Sequence, residues 1–125
     1  MADDSFATMI NNVLIGDKTA FKKFLIRTQS NDFNEDEVLV LTDLIKKSIN
    51  DTSRRAQAVF LLALGLDIGI DGQANKQLAL GFYIEAVNSG HAHAMYRLAM
   101  LSLQQGIPTS YGTAAFLLDR AIDLG

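Results

Sequence analysis

The chain has 125 residues, of which 49% are hydrophobic and 20% charged, and its formal net charge is -3. That length suits a single domain, and that composition excludes disorder as the general state. No cationic stripe is present to neutralise phosphates, so nucleic acid is not an expected partner. The absence of cysteine removes disulfides, thiolate metal sites and cysteine nucleophiles together. The N-terminus, Met1-Ala2-Asp3-Asp4-Ser5, is acidic where a secretory signal is basic and then apolar. The longest apolar run, Ala58 to Leu66, is about half of a membrane span. Both features suit a cytoplasmic protein with no membrane span, and leave open export by a non-classical route.

Apolar residues recur at three- and four-residue spacing from the start, which predicts helices throughout. Phe6, Met9, Ile10, Val13 and Leu14 mark a first helix that stops near Gly16. Phe21, Phe24, Leu25 and Thr28 mark a second, with Asp17 placed to cap it. Asn34 followed by Glu37 has the form of a capping box for a third helix carried by Val38, Leu41, Leu44, Ile45 and Ile49. Lys46 and Lys47 sit near the negative end of that helix.

From Ser53 onward the chain repeats itself. A shift of 36 residues lays Ala58, Phe60, Leu62 and Ala63 on Ala94, Tyr96, Leu98 and Ala99. Past a loop the shift becomes 35, and lays Asn75, Ala79, Phe82, Tyr83, Ala86 and Gly90 on Ser110, Ala114, Leu117, Leu118, Ala121 and Gly125. Such a period signals stacked helical hairpins. Small alanines stand where helices approach closely, Leu62, Leu98, Phe82 and Leu117 fill the space between hairpins, and Gly90 and Gly125 close the second helices.

On these residues, 56–125 resembles Sel1-like repeats, relatives of the tetratricopeptide hairpins. The motif residues are Ala58-x3-Leu62-Ala63, Gly69, Asn75, Ala79-x2-Phe82-Tyr83 and Ala86-x3-Gly90, then Ala94-x3-Leu98-Ala99, Gly106, Ala114, Leu117-Leu118 and Ala121-x3-Gly125. Ala63 and Ala99 replace the usual glycine, Asp71 replaces the second turn glycine, and the second unit lacks its aromatic pair. The resemblance implies an all-α, right-handed superhelical solenoid of about seven helices. Residues 1–50 would cap two repeats, about 54–90 and 91–125, in one domain. It also implies a binding habit rather than a reaction, and a bacterial setting.

No chemical motif competes with that reading. Asp67-Ile68-Gly69-Ile70-Asp71-Gly72 fails as a calcium loop, because its third and twelfth positions hold Gly69 and Leu78. His91 and His93 diverge on a helix and cannot share a metal, leaving a structural role or a pH-dependent contact at a helix start. The serines form no nucleophile elbow, and no phosphate-binding glycine loop is present. The acidic cluster Asp32, Glu35, Asp36 and Glu37 reads as a helix start. No catalytic residue, metal site or cofactor is therefore expected.

The expected function is a non-catalytic scaffold that holds a peptide or helix on its concave face. First helices of such hairpins line that face in the resemblance. The candidates are Arg54, Gln57, Leu61 and Leu64 in the first unit, and His93, Arg97, Met100 and Gln104 in the second. The competing expectation buries Leu61, Leu64 and Met100 against the N-terminal block or the next helix. Arg97→Glu is expected to leave the fold intact and weaken binding. Alternatives are self-association through the C-terminal hairpin, or a regulatory piece of a longer repeat protein or enzyme.

Overall fold

The computed structural model describes residues 2–104, which form six helices and no strand. They are α1 (Ala2–Leu14), α2 (Lys18–Ser30), α3 (Glu35–Ser48), α4 (Arg55–Ile68), α5 (Lys76–Asn88) and α6 (Ala92–Gln104). The seventh helix expected from the repeat, and its closure at Gly125, fall on residues outside the described ones. No described helix is long and apolar enough to cross a membrane.

Local chemistry sets the helix ends. Asp17 accepts a hydrogen bond from the Ala20 amide at 3.0 Å and caps α2. Asn34 accepts from the Glu37 amide, and the Glu37 carboxylate accepts from the Asn34 amide, which completes the expected capping box of α3. Asn75 caps α5 by accepting from the Leu78 amide. The turn after α4 depends on Gly69 for two reasons: its φ is +70°, and a Cβ there would stand 2.7 Å from the Ala74 amide nitrogen.

Except for α2 and α3, consecutive helices pack as neighbours. α1 lies against α2, α3 and α4; α3 packs on α4, α4 most extensively on α5, and α5 on α6. One core runs from Phe6, Ile10 and Phe24 through Leu41 and Ile45 to Phe60, Leu61, Leu64, Tyr83 and Leu101. α4 is apolar on nearly every side, as a helix enclosed by neighbours must be. Ala58, Ala63, Ala79, Ala86, Ala94 and Ala99 are all fully buried, where only small side chains admit such close helices.

On α4 the competing expectation, burial of Leu61 and Leu64, is the one that holds. Leu61 and Leu64 are each 1% exposed and belong to the core. Leu62 and Leu66, read as core from the repeat, are only partly buried. The reason is α1 and α3, which cover the side of α4 that a bare hairpin array would leave open.

Candidate functional site

The C-terminal end of α4 carries a buried carboxylate. Asp67 is 5% exposed and accepts from three side chains on two neighbouring helices, α5 and α6. Lys76 Nζ donates to Oδ1 at 2.7 Å, Tyr83 Oη to Oδ2 at 2.9 Å, and Arg97 Nη2 to Oδ2 at 2.7 Å. Lys76 also donates to the Asp67 carbonyl, which fastens the α4–α5 turn. Burial works to raise the Asp67 pKa, but the hydrogen bonds from Lys76, Arg97 and Tyr83 outweigh it and hold it below the usual carboxylate range. Burial, with Asp67 alongside, pushes the Tyr83 phenol up. Three donors converge on one buried carboxylate, so the cluster is a structural clamp among α4, α5 and α6.

A second cluster forms at the opposite end of these helices. His91 stacks on Phe60, with centroids 4.5 Å apart and planes 13° from parallel. His93 meets Phe60 and Phe21 edge-on at 5.4 and 5.3 Å. The Ala94 amide donates to His91 Nδ1 at 3.1 Å, so His91 serves as the N-cap of α6. With Nδ1 accepting, the ring proton resides on Nε2, which donates to Gln57 Oε1. Gln57 Nε2 in turn donates to the Val13 carbonyl at 3.0 Å. This relay ties the end of α1 to the start of α6. Burial, reinforced by His93, lowers the His91 pKa to about 4; burial and then Arg97 lower that of His93. Among the described residues, no group of three or more histidine or acidic side chains is arranged to hold a metal ion.

The eight residues expected on a concave face divide accordingly. Leu61 and Leu64 are core, a correction with the cause given above. Gln57 is committed to Val13 and His91, and Arg97 to Asp67. The expectation that Arg97→Glu spares the fold is therefore overturned, since it would set a second carboxylate against Asp67. His93 is partly buried among aromatic rings. Arg54, Met100 and Gln104 retain accessible surface. Arg55 donates to the Ile49 carbonyl and pairs with Glu85, joining the end of α3 to α4 and α5.

The acidic cluster is also put to structural use. Glu37 pairs with Arg27 at 2.6 Å, and that contact lowers its pKa. The Arg27 guanidinium lies over the Phe33 ring at 4.7 Å, which couples α2 to the α2–α3 turn. Glu35 and Asp36 remain exposed.

What the sequence reading missed is an open apolar trough between α3 and α4. Val38, Leu41, Ile45 and Ile49 form one wall, Leu62, Leu66 and Ile70 the other, around a cavity of about 350 Å³. At Val38, Ile70 and Asp71 it continues into a second hollow beside Leu39, which is 67% exposed, and Glu35. The available signal was a surplus: α4 carries apolar residues on more faces than one hairpin partner can cover.

Comparison with protein-family models, with curated proteins and with solved structures finds no match to this chain.

Proposed function

We propose that the chain is a non-catalytic interaction module of the Sel1-like kind that binds an apolar segment of another protein in the α3–α4 trough. One observation carries this reading: a trough with two apolar walls that no described residue fills. Apolar side chains at its rim remain in contact with water, and covering them is favourable at about 25 cal/mol per Å². The hairpin α4–α5 followed by α6 agrees with the repeat reading. His93 of α6 meets Phe60 of α4, and Arg97 meets Asp67 further along, so the two first helices run in the same sense. The groups that could serve acid–base chemistry, Asp67, Glu37 and His91, are consumed by structural hydrogen bonds. That arrangement favours binding over catalysis.

The test is a titration of the isotope-labelled chain with a synthetic leucine-rich amphipathic helical peptide, followed by amide chemical shifts. Shifts should concentrate on Val38–Ile49 and Leu61–Asp71, and should vanish in Leu66→Lys and in the exposed variant Leu39→Lys. Shifts confined to the surroundings of Arg54, Met100 and Gln104, or none, would refute the trough as the binding face.

A further inference from the structure

The trough differs in charge from end to end, and this narrows what it can hold. α3 and α4 are antiparallel: Arg55 reaches the Ile49 carbonyl at one end, while Val38 faces Ile70 at the other. Glu35 and Asp71 border the Val38 end. Lys46 borders the cavity nearer Ile49. Among the described residues, Glu35, Asp71 and Lys46 make no ion pair. They stand exposed at the edges of an apolar floor, where an occupant's charges would meet them.

The walls also specify the occupant's backbone. They are helical faces with no described strand edge, and the one hydroxyl on them, Thr42 Oγ1, already donates to the Val38 carbonyl. A chain lying on this floor therefore has to satisfy its own amides and carbonyls, which an α-helix does and an extended peptide does not. The 14 residues of α3 make a wall of about 20 Å, or roughly four turns.

Resting on the trough reading, we propose that the partner is an amphipathic helix of about four turns, basic at one end and acidic at the other. Its apolar stripe lies on Val38, Leu62 and Leu66. Its basic end meets Glu35 and Asp71, and its acidic end meets Lys46. Exposed pairs of this kind are individually weak, and three together amount to about a tenfold change in affinity at low salt.

The experiment uses fluorescence anisotropy of the full chain with three labelled synthetic helical peptides that share one leucine stripe. One has glutamates in its first turn and lysines in its last, one has glutamates at both ends, and one has lysines at both ends. The mixed peptide should bind the parent about tenfold more tightly than the glutamate-ended peptide. In Glu35→Lys/Asp71→Lys, whose substituted side chains are both exposed, the glutamate-ended peptide should become the tightest. Equal binding of all three, abolished by Leu66→Lys, would overturn the charge assignment and leave the trough reading standing. Binding of none would overturn both.

Discussion

The His91 ring performs three tasks: it accepts from the Ala94 amide, donates to Gln57 and stacks on Phe60. Protonation would remove the acceptor and place a cation at the positive end of α6. The groups around it, Lys18, Gln57, Ser89 and the rings of Phe21, Phe60 and His93, include no carboxylate to offset that charge. With its folded pKa near 4 and an ordinary value of 6.5, the unfolded chain takes up the proton first on acidification. The contribution is therefore complete above about pH 6.5 and drains as pH falls toward 4, on the order of 3 kcal/mol in all. Urea unfolding across that interval should show the loss. His91→Asn, which keeps a capping oxygen but does not titrate, should flatten it. An unchanged profile in that variant would rule out His91 as the source.

At the scale of elements, Asp67 decides whether α4, α5 and α6 stay together. Its carboxylate is buried, while the side chains of Lys76 and Arg97 are 39% and 31% exposed. Water thus shares in compensating the two cations when the carboxylate is lost. Asp67→Asn should cost about 2–4 kcal/mol, below the upper range for breaking a fully buried pair. Arg97→Glu should cost a similar amount because it adds a like charge, whereas Arg97→Met should cost less, since Lys76 and Tyr83 still hold Asp67. Denaturant midpoints for the three variants check this order. The folded pKa of Asp67 is depressed, so its stabilisation is present above its ordinary value and is lost as pH falls through the folded one.

For the molecule as a whole, the two sides of α4 should respond differently to the same truncation. Leu61 is enclosed in the core, so Leu61→Ala leaves a cavity and should cost about 2–4 kcal/mol. Leu62 lines the open trough, where water replaces the lost atoms, and Leu62→Ala should cost about 1 kcal/mol or less. Equal losses in thermal or denaturant unfolding would mean that the trough is closed in solution. Under the proposed function the same asymmetry divides α4 between two tasks: the buried face holds the fold, and the open one is offered to a partner.

The sequence by itself determined the local features. Spacing placed α1, α2 and α3 and the internal repeat placed α4, α5 and α6, while short polar side chains fixed the starts of α2 and α3 at Asp17 and Asn34. Glycine in the left-handed region marked the turns at Gly69 and Gly90. These features involve residues a few positions apart, so spacing alone reveals them. Only the tertiary structure decided which face of α4 is core, because α1 and α3 bury Leu61 and Leu64 from a distance in sequence that no repeat pattern records. It likewise decided that Asp67, in a segment that fails as a calcium loop, meets Arg97 thirty residues later, and that His91 caps one helix while leaning on another. A buried charge is acceptable only where its partners converge, and that convergence comes from packing rather than from order along the chain.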